Sequence, residues 1–322
     1  MAHVAPVVDS EPLENEPPEQ PYKQAILPLI ALASSMVAVG FYFALSQDDP
    51  YQFEQAPAPQ PAIETTLPSG LLPQPLANGL RVEASSGRSA FRIAQASASG
   101  EGAQAGMQAS FEVQREPEGA RVTQSFEQPS VLLWQGDVSN AVALDVSIQI
   151  ETILSDAHAT FSLSPEGAFT DYLWTSALNP QLRPTFKILA DAQMLLAPKV
   201  RQGALRAGES WTYSLPWAGG AGGLSTDAAL TMKMTYRGIT PGAQPQAAIQ
   251  VDVSTKGTLG EDTLVTGKGQ GVLLMRVDDQ GSARVGRFAF GLEQTLTRAG
   301  ESTRTSFVFE RVALASPEVG QE

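Results

Sequence analysis

The side chains able to do chemistry are few and scattered. The 322-residue chain has no cysteine and only two histidines, His3 and His158. Metal centres draw on clusters of His, Cys and carboxylates, so neither histidine points to one. Ser-His-Asp catalysis would have to use His158, and no G-x-S-x-G motif accompanies it. Glu151, Asp156, Glu166 and Asp171 lie close in sequence and could supply a carboxylate pair for glycoside hydrolysis, but proximity alone does not make a cleft. Asp278 and Asp279 belong to a DDQG stretch, where acids form turn hydrogen bonds more readily than calcium sites. Two glycine-rich stretches, 217–224 (WAGGAGGL) and 267–271 (GKGQG), lack the spacing and the following helix of a phosphate loop. They read as a flexible loop and a strand bulge. The chain is therefore expected to be no enzyme, with no cofactor and no metal.

Large aromatic side chains are a better lead. Trp211, Tyr213 and Leu215 share one face of an alternating stretch that Trp217 continues, and Trp174 ends another such stretch. Core packing is the plainer reading of these residues. The functional reading makes Trp174, Trp211, Tyr213 and Trp217 an apolar patch or the wall of a ligand cavity.

The elements that would carry them are strands. Apolar and polar residues alternate with period two over 107–113, 141–150, 158–163, 168–174, 211–215, 228–236, 247–255, 263–277, 283–297 and 303–314, bounded by Gly, Asp, Asn and Pro. About eleven antiparallel strands are expected, in a curved sheet or a sandwich spanning 89–316. One segment departs from the pattern. Phe186, Leu189, Ala190, Met194 and Ala197 fall near helical spacing, which predicts one amphipathic helix over 184–197. Two hairpins, around SPEG (164–167) and DDQG (278–281), resemble each other and leave open a domain of two β halves joined by that helix.

Ahead of the β domain, residues 25–45 (AILPLIALASSMVAVGFYFAL) carry no charge. A helix of that length covers about 30 Å, the thickness of a bilayer's hydrocarbon core. A cleaved signal peptide fits less well, because the preceding residues 1–24 are acidic and proline-rich, with Lys23 as their one basic residue. Lys23 favours an N-terminus in the cytoplasm. The expectation is a single-pass protein of the inner (cytoplasmic) membrane, with its C-terminal domain in the periplasm. Ala31, Ser34, Ser35, Ala38 and Gly40 are small enough to permit contact with another helix. Residues 46–88, with seven prolines between 50 and 80, read as a spacer, and 317–322 as a short tail.

The formal charge of −13, from 34 acidic and 21 basic residues, disfavours nucleic acid and other polyphosphates as partners. The expected partners are the bilayer and other transmembrane subunits. By elimination, the leading expectation is a non-catalytic accessory or structural subunit of a membrane or envelope complex. The alternative is an anchored periplasmic carrier of a lipid or other lipophile, and a carbohydrate-active enzyme comes last. In layout, a span followed by a curved β domain resembles membrane-anchored lipopolysaccharide-transport proteins and periplasmic lipoprotein carriers. That resemblance rests on no shared motif, and layout alone does not give function.

Overall fold

The computed structural model describes residues 63–84, 86–97, 102–116, 119–134, 158–175, 195–217, 227–260 and 262–314. The expected span at 25–45, its contact residues Ala31, Ser34, Ser35, Ala38 and Gly40, the expected strand at 141–150 and most of the expected helix at 184–197 lie outside these residues. Among the described residues, no helix is long and apolar enough to cross a membrane.

The described fold is all-β. Its strands are β1 (Arg81–Val82), β2 (Gly87–Ser97), β3 (Gly102–Glu116), β4 (Gly119–Trp134), β5 (His158–Leu163), β6 (Phe169–Thr175), β7 (Ser210–Pro216), β8 (Ala229–Ile239), β9 (Gln246–Leu259), β10 (Thr263–Val277), β11 (Ser282–Arg298) and β12 (Glu301–Leu314). They form one twelve-stranded sheet in the order β6-β5-β4-β3-β2-β12-β11-β10-β9-β8-β7, with β1 added beside β11. Two antiparallel meanders, β2–β6 and β7–β12, are thus joined by the pairing of β2 with β12, which runs from Arg88↔Leu314 to Ser97↔Thr305. Both hairpins read from sequence are present. Asp278 Oδ1 accepts bonds from the amides of Gln280 and Ser282, and Gly281 takes the positive φ that closes the turn. In the SPEG turn, Gly167 donates its amide to the Ser164 carbonyl.

The core lies on one face of the sheet. Leu230, Met232, Met234 and Tyr236 of β8, Ile249 and Val251 of β9, Leu273 and Met275 of β10, Phe288 and Phe290 of β11, and Phe309 of β12 are buried there. Strong curvature follows from one contact. Trp217 leaves the end of edge strand β7 yet packs edge-on against Phe307 and Phe309 of β12, at 5.9 and 6.1 Å between ring centroids. Five strand spacings in a flat sheet would separate β7 from β12 by roughly 24 Å, so this half of the sheet must curl back on itself.

The expected spacer is described from Ile63 onward, and there it belongs to the fold. Glu64 accepts a bond from Arg287 of β11 through its carbonyl, and Thr65 lies against Gly291 on the same outer face. Seven residues later, Leu72 exchanges both backbone hydrogen bonds with Ile239 at the end of β8. The chain between them crosses β10 and β9, where Val272 and Ala248 of the outer face are fully buried. It then rounds the sheet edge. The Tyr236 hydroxyl donates to the Gln74 carbonyl at 2.6 Å, Leu76 pairs with Leu205, and Leu80 enters the core. Burial of Tyr236 pushes its phenol up to about 12.

The β2–β12 seam has its own electrostatic lock on the outer face. The Glu310 carboxylate is buried and accepts bonds from Arg92 of β2 and Arg287 of β11. Removing the acid takes the buried carboxylate away from both arginines, so Glu310→Ala is expected to lower unfolding free energy by about 3 kcal/mol in urea titrations. Gly238 has φ near 131°, and a Cβ there would stand 2.2 Å from the Leu72 carbonyl oxygen. Gly238→Ala is therefore expected to cost about 1–3 kcal/mol, and to raise amide exchange at Leu72 and Ile239 before global unfolding.

Candidate functional site

The inward positions of β12 read Phe307, Phe309, Arg311, Ala313, so the strand's alternation places a guanidinium in an apolar register. Arg311 lies opposite Phe91 of β2 and sits 5.6 Å from that ring and 5.4 Å from the ring of Phe111 on β3. The two rings are themselves neighbours, 6.3 Å apart. Contact with two aromatic faces contributes up to about 2 kcal/mol when water is excluded. Among the described residues, the one side-chain hydrogen bond of Arg311 is a long one, from Nε to Ser89 Oγ at 3.4 Å. Among the described residues, no ion pair includes Arg311. Desolvation by burial pulls its pKa down to about 10, so it remains a cation at neutral pH.

Arg311 lines a cavity of about 200 Å³. Val113, Val122, Phe161 and Leu163 from β3–β5 form one wall, and Val285 with Ala313 forms the facing wall. Ala197 and Pro198 close one end, held by the SPEG turn through the bond from the Val200 amide to the Glu166 carbonyl. Of the arginines at the mouth, Arg88 is paired with Glu127 at 2.6 Å and Arg284 with Glu83 at 2.8 Å, and Arg276 has no ion pair among the described residues. Arg276 and Arg311 are therefore the lining cations with no ion pair among the described residues.

Residues 82–84 run across this mouth. The Val82 amide donates to the Pro165 carbonyl, and the Glu83 amide to the Ala283 carbonyl. The Glu83 carboxylate then bridges Arg115 of β3, at 2.7 Å, and Arg284 of β11, at 2.8 Å. One side chain therefore ties the first meander to the second over the cavity.

The aromatic residues singled out from sequence do other work. Trp217 is buried, and its indole donates to Gln294 Oε1 at 2.6 Å. Trp211 and Tyr213 share the inward face of β7, as the alternation implies, and are half-buried against the core. The Trp211 indole donates to the Lys199 carbonyl. The Tyr213 hydroxyl donates to Met232 Sδ, and burial raises its pKa above the ordinary phenol range against a smaller opposing pull from the Lys199 backbone. Trp174 pairs with Ala159 through its backbone in β6, and its side chain lies outside the described residues. Trp211, Tyr213 and Trp217 do not line the Arg311 cavity.

Of the remaining candidates, Glu151 and Asp156 lie outside the described residues. His158 is exposed, with Nδ1 3.0 Å from Ser125 Oγ. Glu166 accepts from the Gln202 side chain, and Asp171 is exposed. Among the described residues, no group of three His, Cys, Asp or Glu could hold a metal ion. A larger hollow of about 780 Å³ crosses β9–β12, but the charges rimming it, Lys256, Lys268, Glu293 and Arg304, are all exposed to water.

The bridging pairs at Glu83 are accessible, with Arg115 78% and Arg284 54% exposed, so their net contribution to global stability is below about 1 kcal/mol. Glu83→Gln is expected to leave the urea midpoint nearly unchanged. It should speed hydrogen exchange at the Val82 and Glu83 amides several-fold, and unchanged exchange would show that the bridge does not hold the mouth. No protein-family model matches the chain, and no curated protein matches it in sequence.

Proposed function

We propose that the β domain is a non-catalytic binding module for a small lipophile, held at a membrane by residues 25–45 as an anchored carrier or receptor. The observation that supports this most is the cavity itself. Aliphatic and aromatic side chains line its interior beside the polar groups of Ser89 and Arg311, it opens at the seam of two meanders, and its volume is about 200 Å³. An apolar cavity of about 150 Å³ is enough to take up benzene. This one therefore suits a ring or a chain of about six carbons, together with a polar group at Arg311. Lys23 on the N-terminal side of the apolar segment favours placing the domain on the exterior face. The role of accessory subunit in a membrane assembly draws on Ala31, Ser34, Ser35, Ala38 and Gly40, outside the described residues. The described surface adds little to it, since its exposed large apolar side chains, Leu72, Leu173 and Leu264, lie on separate elements.

Filling the cavity tests the reading. Ala313 lines it and sits opposite Ser89 across the β2–β12 ladder, so Ala313→Phe would occupy the space with a ring. Such overpacking costs about 1–3 kcal/mol, which leaves a folded protein to assay. The full chain in phosphatidylcholine nanodiscs is expected to bind hexanoate or hexanol saturably, one to one, above the partitioning seen with empty discs. Ala313→Phe is expected to weaken that binding at least tenfold. Absence of saturable binding for both probes would overturn the proposal.

A further inference from the structure

The fold treats its interior arginines in two different ways. Arg92 and Arg287 flank the buried Glu310 and both pair with it, and Arg287 also lies 3.6 Å from the Glu64 carboxylate. Arg311, the next residue along β12, points to the opposite face and meets two aromatic rings, one serine hydroxyl and a cavity. A guanidinium has five N–H donors, and Ser89 takes one of them through a long contact. Arg311 is half-buried beside the cavity and has no ion pair among the described residues, so a bound anion would supply the charged partner it lacks.

We infer that the cavity receives the carboxylate of a small aryl or acyl acid, with the anion on Arg311 beside Ser89 and the apolar body between Phe111, Val122, Phe161 and Val285. This rests on the binding-module reading above and names its ligand class. One guanidinium matches one carboxylate in charge and in planar, two-point geometry. The volume of about 200 Å³ limits the body to roughly one ring or six carbons. Arg276 at the mouth, which has no ion pair among the described residues, favours entry of an anion. The aromatic faces at Arg311 keep the guanidinium plane fixed while the acid is absent, so binding does not have to order it.

The test compares isosteric pairs on the full chain in phosphatidylcholine nanodiscs: benzoate with benzyl alcohol, and hexanoate with hexanol. Wild type is expected to prefer each acid at least tenfold. Arg311→Met should reduce acid affinity to that of the alcohol and change alcohol affinity less than threefold, and Arg311→Lys should fall between. Equal affinity of wild type for acid and alcohol would overturn the ligand assignment and leave the cavity reading standing, as would Arg311→Met retaining the preference. Binding of neither member of either pair would overturn both. The wild-type comparison decides the matter even if Arg311→Met does not fold.

Discussion

The pairing of β2 with β12 is the contact on which everything else depends. Each meander pairs strands that follow one another in sequence, but a single long-range ladder joins the two meanders, and the strands in it are separated by roughly two hundred residues of chain. Loop closure across that distance costs entropy that grows only logarithmically with length, so a ladder of ten pairs with an apolar face can hold it. Its outer face is secured by Arg92, Glu310 and Arg287, all charges with partners. Its inner face carries Phe309 into the core and then Arg311 into the cavity. The seam is thus both the structural joint and the floor of the candidate site, and a defect in its register would move Arg311 away from Phe91 and Phe111 together.

The strap from Ile63 to Ala84 explains why a proline-rich segment can be structural. A spacer and a strap have the same composition, because both need extended backbone without a regular ladder, and proline supplies it. What distinguishes them is the surface they meet. Here the outer face offers Ala248, Val272, Ala289 and Gly291, small residues that let another chain lie close. The strap's own apolar residues, Leu76 and Leu80, appear just where it turns inward, and Leu80 is fully buried. Each was visible in the sequence, but the prolines around them dominated the reading. The expected boundary near residue 89 accordingly falls inside β2, and the sheet begins with β1 at Arg81.

Period-two alternation made most of the second meander legible. The segment 263–277 matches β10 at both ends, and 158–163 matches β5. Strands β2 and β4 were missed for physical reasons. In β4 the inward row runs Ala120, Val122, Gln124, Phe126, so a buried glutamine interrupts the apolar signal. A bulge follows, where Gln128 and Pro129 together oppose Met107 and Gln128 takes a positive φ. In β2 the inward row includes the buried Ser89, and small residues dilute the rest. The candidate site was missed for a related reason. Aromatic residues attract attention, yet Trp211, Tyr213 and Trp217 spend their polar atoms on the fold's own groups. The informative residue was the misfit in a correct strand: an arginine following Phe307 and Phe309 at the same inward spacing. Only the cross-strand partners, which sequence alone does not give, show that among the described residues no carboxylate answers it.

That misfit also bears on how the proposed membrane attachment and the cavity would work together. A carrier needs an interior that is stable when empty, and an empty cavity with a bare cation is costly by itself. The rings of Phe91 and Phe111 lower that cost without satisfying the guanidinium's donors, and the mouth is spanned by Glu83, whose partners Arg115 and Arg284 are partly in water. Accessible ion pairs are weak and exchange readily. The arrangement therefore places strong, fully paired charge at the seam that must not open, and weak, accessible charge at the edge where a ligand would pass. Stability and access are separated onto the two faces of one strand, with Glu310 on one and Arg311 on the other.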